Sequence, residues 1–337
     1  MIDYIKISLI NIDVNRLENL LDFKTLLSER TGELSSKKVA EHHFCKVTIY
    51  DSKLVLFTGS IHKMYNSLKG IEAPNYQNVK GFNGNQFRFA QIDYTIGYLT
   101  KLFDCTAEQM VIQNIEFGIN TKPKFDPQLF IKGLLYHNGK PFEFRHNKRF
   151  AQVPHQRYFM KIYNKSQQYK MDAHTLRVEL KIIKTEYIRD IGINTLADIK
   201  NETLLKAKEI LLKRFSEVVY YDYTINKELL KQSQLQTLKD YANPNFWIIE
   251  LAPRNRVYNR KKLQNYITQY SNNLQQVIAQ EIDEKFGISN QQSESSRFGI
   301  SNHSSIEVFI PNKQRAESDS QKERICPITR LDIAMQM

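Results

Sequence analysis

Between residues 157 and 184 the chain alternates apolar and polar positions twice. Tyr158, Met160 and Ile162 interleave with Phe159, Lys161 and Tyr163, and Leu176, Val178 and Leu180 interleave with Arg177, Glu179 and Lys181. Alternation with period two predicts two strands, each with one apolar face and one face that carries charge or a phenol. The same signal predicts a strand over 2–10, a hairpin of 46–50 with 54–57 around Asp51-Ser52-Lys53, and a strand over 110–121. A further hairpin, 130–136 with 141–144, turns through Asn138-Gly139. Apolar residues three and four apart predict helices over 14–21 and over 85–103, the second through Phe89, Ile92, Ile96, Leu99 and Phe103.

Beyond residue 184 the pattern changes. Leu196, Ile199, Leu204, Ala207, Leu211, Phe215 and Val218 share one face of a long helix over 196–219, a shorter one follows over 227–242, and Asn243-Pro244-Asn245 ends it. Another helix runs on from the basic block after Trp247. The Ser/Lys/Glu-rich stretch 28–41 reads as a loop and 59–66 as a polar strand end. From residue 286 the periodicity is lost: FGISN occurs at 286–290 and again at 298–302 in a Ser/Gln/Asn-rich linker, before a short strand at 306–310 and a polar tail. The expected architecture is α+β, an antiparallel sheet with flanking helices followed by a helical C-terminal region. Its parts are 1–190, 191–285, and a linker and tail at 286–337.

A net charge of +12 on 337 residues narrows the partners to nucleic acid or an anionic surface. No apolar run approaches the ~20 residues of a spanning helix, and the first residues are not a signal peptide, so a soluble, cytoplasmic protein with no membrane partner is expected. Cys45, Cys105 and Cys326 form no C-x-x-C pair, which argues against a disulfide framework or a cysteine zinc site. There is no phosphate-binding G-x-x-x-x-G-K-[ST] loop, so the chain itself is not expected to be a helicase.

Candidate chemistry lies on the polar faces of the central strands. A lone tyrosine among 18 is usually a packing residue, but Tyr163 has Lys161 two before it and Lys165 two after. On a strand all three share a face, where two ammonium groups favour the phenolate and stabilise charge developing on phosphorus. Glu179 and Glu116, on separate strands, are either partners for neighbouring Arg and Lys or hard oxygen ligands for Mg²⁺ or Mn²⁺. Lys63, with Ser60 and His62, is a candidate phosphate contact, as are Arg157, at the end of a basic run over 146–157, and Arg177. A second basic block holds Arg254, Arg256, Arg260, Lys261 and Lys262, with Tyr258 placed to stack on a base.

KIYNK (161–165) followed by HTLRVELK (174–181) resembles the core motif of plasmid rolling-circle replication initiators of the Rep-trans type. Their tyrosine lies in an R-I-Y-N-K block that precedes H-x-x-R-V-E. More distantly the chain is similar to filamentous-phage initiators, and the resemblance spans roughly 1–190. IQNIEFGIN (112–120) stands where the plasmid proteins carry R-x-D-x-A-x-D, with Glu116 at the first Asp, Asn114 at the Arg and Asn120 at the second Asp. The resemblance implies an HUH-like nicking endonuclease. Tyr163 would attack the origin DNA, leaving a 5′-phosphotyrosine and a 3′-hydroxyl that a polymerase extends, and Lys165 would neutralise the phenolate or the leaving oxygen. It implies a Mg²⁺ or Mn²⁺ ion on Glu179 and Glu116, with Asn120. The His-hydrophobe-His signature of the wider superfamily is absent, and His174 and His155 are its candidate substitutes. Expected partners are single-stranded and duplex origin DNA, with host helicase and polymerase acting downstream. A mobilisation relaxase of the same chemistry, and a non-catalytic DNA- or RNA-binding regulator on a decayed nuclease fold, are the alternatives.

Overall fold

The computed structural model describes residues 1–27, 30–75 and 80–285. The expected linker, FGISN repeats, 306–310 strand and tail lie outside the described residues, as does Cys326. In chain order the elements are β1 (Ile2–Leu9), α1 (Val14–Leu20), β2 (Lys24–Leu27), β3 (Leu34–His42), β4 (Cys45–Tyr50), β5 (Val55–Ser60), α2 (Ile61–Leu68), α3 (Phe89–Phe103) and β6 (Met110–Thr121). There follow α4 (Pro127–Ile131), β7 (Leu134–His137), β8 (Lys140–Pro141), β9 (Glu143–Arg145), β10 (Phe150–Pro154), β11 (Tyr158–Asn164), α5 (Lys165–Tyr169) and β12 (Leu176–Ile182). The remainder is α6 (Thr185–Asp190), α7 (Asn201–Ser216), β13 (Val218–Tyr220), α8 (Gln232–Tyr241), α9 (Pro253–Tyr270) and α10 (Leu274–Lys285).

This is the α+β architecture expected. A ten-stranded sheet runs in the order β2-β3-β4-β5-β1-β6-β12-β11-β10-β9, and a small sheet β13-β7-β8 stands beside it. Every ladder is antiparallel. The alternation of β11 and β12 is realised literally. Tyr158, Met160 and Ile162 lie opposite Ile182, Leu180 and Val178, which in turn face Ile115, Phe117 and Ile119 of β6. All nine are buried, and at ~25 cal/mol per Å² of apolar surface this shared face is a major source of stability. Helices α6, α7 and α10 pack against β6. The segment after residue 190 therefore shares the core of the sheet, and β13 pairs with β7.

Several expectations are corrected. Most of 28–41 is not a loop: β3 pairs with β4 and β2. Its residues alternate between exposed and half-exposed, with only Ala40 buried, so the strand carries no apolar face for the sequence to display. Of the stretch 59–66 only Gly59 and Ser60 end a strand, β5; from Ile61 it is a helix, α2, capped by the Ser60 hydroxyl on the Lys63 amide. Phe130 lies in α4, not in a strand, with Asp126 as its cap; the Asn138-Gly139 turn forms as expected, both residues at positive φ (47° and 78°). The 85–103 helix begins only at Phe89. The 196–219 helix is interrupted, with a 3-10 turn at Leu196–Asp198 before α7 and strand β13 after it. The last long helix divides into α9 and α10 at Ser271–Asn273, where Ser271 caps α9 and Asn273 takes a left-handed φ of 47°. Cys45 and Cys105 are free, and among the described residues no helix is long and apolar enough to cross a membrane.

Candidate active site on the central strands

Antiparallel register decides which polar residues meet. Lys161 of β11 lies opposite Glu179 of β12, and Glu179 opposite Gly118 of β6. One step along, Tyr163 faces Arg177 and Arg177 faces Asn120, and one step back Lys181 faces Glu116. These odd positions of β11 and β12 and even positions of β6 share one face. Glu179, almost fully buried, is the hub. Its Oε2 accepts from the Tyr163 hydroxyl at 3.1 Å and from Arg177 Nε at 2.6 Å, and its Oε1 accepts from Lys161 Nζ at 2.9 Å. The same ammonium reaches Glu116 Oε1 at 2.9 Å, and Lys181 Nζ reaches that oxygen at 3.0 Å.

Behind this row Arg177 extends across β6 to Asp3 of β1 (3.1 Å) and to Asn120 Oδ1 (3.1 Å). It passes over Gly118, where a Cβ would stand 2.9 Å from the guanidinium, so the missing side chain makes the crossing possible. Asp3 is held further by the Ser60 hydroxyl and by Asn83 Nδ2 at 2.7 Å. Asn83 Oδ1 accepts from Lys165 and from the Tyr169 hydroxyl.

The electrostatics follow from burial and these partners. Burial, then the charge of Glu179, pushes the Tyr163 phenol well above its ordinary value. Burial alone would raise Glu179, but Lys161 and Arg177 overcome it and hold the carboxyl well below the usual range. Glu116 is pushed up to about 7 by burial and the neighbouring Glu179 charge. Burial, with Arg177 nearby, lowers Lys165 to about 7.

Tyr163 and Lys161, expected as the catalytic pair, Glu179, Glu116 and Asn120, expected as metal ligands, and Arg177, expected as a DNA contact, are brought together on one face by the register. The structure differs in the details. Lys165 is not on the strand with Tyr163: it opens α5, fully buried, with its Nζ 5.1 Å from the Tyr163 ring centroid and bound to Asn83. The ammonium pair flanking the phenol is not formed, and the phenol is raised instead of lowered. Arg177 is a buried partner of carboxylates, not a surface contact for DNA. Ser60 and His62 are likewise unavailable to phosphate, since His62 is buried against Phe87 and bonded to Asn85. Lys63 spends its ammonium on the Lys80 carbonyl at 2.8 Å.

The two histidines are elsewhere. His155 pairs with His137 (2.8 Å) beyond the far end of β11, where Arg157 is also exposed, and His174 is exposed in the loop before β12. As a cation site the arrangement is a poor fit. Glu116 Oε1 and both oxygens of Glu179 already carry ammonium or guanidinium, the Asn120 oxygen is taken by Arg177, and no group of three His, Cys, Asp or Glu that could hold a metal exists among the described residues.

Asp3, Asn83 and the β9–β10 turn were missed by sequence reasoning. That turn holds His146, Asn147 and Lys148 at φ of 52°, 53° and 61°, each at a cost of order 1–3 kcal/mol. It sets exposed Arg149 and half-buried Phe150 beside Tyr163, with the two rings 5.2 Å apart. Together with Asn164 and Gln167 they line an open cleft of ≈ 490 Å³. A basic residue next to an aromatic in the 146–157 run was the available signal.

The second basic block divides by helical phase. On α9, Arg254, Val257, Tyr258 and Lys261 are exposed and Lys262 half-exposed, with Tyr258 69% exposed and Ile249 of the preceding turn 75%. Arg256 and Arg260 turn the other way, onto the carbonyls of Ile248 (3.0 Å) and Ser216.

Fold and site define an α+β protein with a tyrosine, carboxylate and guanidinium cluster on the polar face of its central strands. No family model matches the sequence, and no curated protein does. Among solved structures the chain is similar to the rolling circle replication initiator protein from Geobacillus stearothermophilus, at a TM-score of 0.31 and 11% identity over 72% of this chain and 96% of that one. A likeness that slight establishes nothing about activity, and the functional reading rests on the residues themselves.

Proposed function

We propose that the protein nicks one DNA strand at a defined site through Tyr163 and so initiates rolling-circle replication. The observation that carries the reading is the Tyr163 hydroxyl, which donates to the Glu179 carboxylate at 3.1 Å on a residue that also lines an open cleft. A nucleophile aimed by a hydrogen-bond acceptor that is itself fixed by a third group is the orientation covalent catalysis needs, and Arg177 is that third group. The KIYNK and HTLRVELK blocks, which resemble those of plasmid initiators, supply the same two residues.

In the reaction the phenolic oxygen of Tyr163 bonds to phosphorus while its proton leaves to water in the cleft, Glu179 staying ionised and orienting the hydroxyl. The bond from phosphorus to the 3′ oxygen breaks, and the proton ends, by way of water, on that oxygen. The products are a 5′-phosphotyrosine and a 3′-hydroxyl primer. Because the phenol is held neutral at rest, attack is confined to the moment when a phosphate is docked. Arg149, exposed at the cleft mouth, is placed to hold the flanking phosphate.

The test is a denaturing gel of protein incubated with single-stranded oligonucleotides that tile candidate origins. Wild type forms a covalent adduct and Tyr163→Phe does not, while both bind DNA alike. An adduct from the Phe variant would sink the assignment. A non-catalytic DNA-binding role is favoured by one observation: Glu179 and Asn120 are bonded through Arg177 in a buried polar network, as in a purely structural polar core. It predicts no adduct from wild type.

A further inference from the structure

We propose that Lys161 takes the place of a divalent cation, so that the tyrosine chemistry runs on positive charge built into the protein. The inference rests on the nicking reading for its function but not for its geometry. Two carboxylates brought together from neighbouring strands are the usual nucleus of a divalent site. Here the point between them is filled by the Lys161 ammonium, 2.9 Å from an oxygen of each. The lysine comes from the third strand of the row, directly opposite Glu179, so its position is fixed by register and does not depend on a loop.

The rest of the neighbourhood is built for the same charge. Lys181 sits on Glu116 and Arg177 on Glu179. A dication beside them would meet three fixed positive charges. Beyond the two carboxylates it would find no further ligand: Asn120 gives its oxygen to Arg177 and its amide hydrogens to the carbonyls of Asn83 and Asn85, and Asp3 is held by Arg177, Asn83 and Ser60. Within the ion-paired row, the Lys161 side chain is 16% exposed against 8% for Glu116 and 2% for Glu179. It therefore lies on the solvent side of both carboxylates and one strand pleat from Tyr163, where an incoming phosphate oxygen can take a hydrogen bond from the ammonium. Charge developing on phosphorus is stabilised there by a group that needs no loading from solution.

Two measurements on the full chain test this. In calorimetric titration with Mn²⁺, wild type shows no binding that depends on Glu116 or Glu179. Lys161→Met, which keeps length and removes charge, gains Mn²⁺ binding, and adding Glu179→Gln abolishes the gain. In the nicking assay wild type works equally well in excess chelator, whereas Lys161→Met loses about 10²-fold and recovers part of that loss on addition of Mn²⁺. Wild-type Mn²⁺ binding that disappears in Glu116→Gln or Glu179→Gln overturns the proposal, whatever the variant does. So does nicking that stops in chelator. If neither condition yields nicking, the nicking reading fails, and the titration still decides what occupies the carboxylate pair.

Discussion

Replacing Arg254, Lys261 and Lys262 by Ala tests whether the free face of α9 grips duplex DNA. Of the five cations in this block, Arg256 and Arg260 are committed to backbone carbonyls, which leaves three to neutralise phosphates. Each phosphate neutralised on duplex contributes about 0.9 to the slope of log affinity against log salt, so the triple variant should flatten that slope by about 2.7. Between 50 and 200 mM salt, a change of about 0.6 log unit, wild type then loses roughly 40-fold more affinity than the variant. Fluorescence anisotropy with a labelled duplex over that salt range measures it, and circular dichroism checks that α9 is intact. Tyr258→Ala should leave the slope unchanged, since an uncharged ring releases no counterion. If the triple variant keeps the wild-type slope, the face is merely solvated and duplex is gripped elsewhere. The Arg256→Ala, Arg260→Ala double variant is the complementary arm. It should lower stability while leaving the slope within about one unit of wild type.

Three other outcomes are expected. Gly118→Ala should cost about 1–3 kcal/mol in urea unfolding and reduce adduct formation, because the new Cβ displaces the Arg177 guanidinium; wild-type stability and activity would show that Arg177 has another route. Arg177→Met leaves Glu179 and Asp3 without their shared cation and should destabilise by ~3–5 kcal/mol, read by the same unfolding. Burial lowers His62 to about 3 and His137 to about 4. Both are therefore neutral in the fold yet take up a proton on unfolding near pH 6.5. The stability they confer is complete above that pH and drains away as pH falls from 6.5 toward 4, by up to about 1.4 kcal/mol per pH unit for each. Equal unfolding free energies at pH 7.5 and pH 5 would contradict it.

What the sequence disclosed tracks how each element is solvated. Strands β6, β11 and β12 were legible because each buries one regular apolar face. β3 was invisible because neither of its faces is dry, and α2 was misread because Ser60, His62 and Asn66 look polar but are buried among partners. At the site, strand parity alone put Lys161 and Tyr163 on one face and Arg177 and Glu179 on another. That the two faces are the same follows from register, which is long-range information. Asp3 lies 174 residues from Arg177 and Asn83 lies 82 from Lys165, and no local pattern marks either. The division of the α9 basic block, by contrast, was readable: positions 254, 258 and 261 fall on one side of a helix and 256 and 260 on the other.

The way Arg177 spans the sheet has a consequence for assembly. The guanidinium joins β12 to β6, 57 residues away in sequence, and, past Gly118, to β1, 174 away, so three distant strands must all be in register before it finds its partners. Contacts of that span close late. Until then Glu179 has no guanidinium to aim its carboxylate, and the Tyr163 hydroxyl has no fixed acceptor. A nascent or partly unfolded chain thus carries the phenol without the means to use it, and reactivity toward DNA becomes a property of the finished sheet alone.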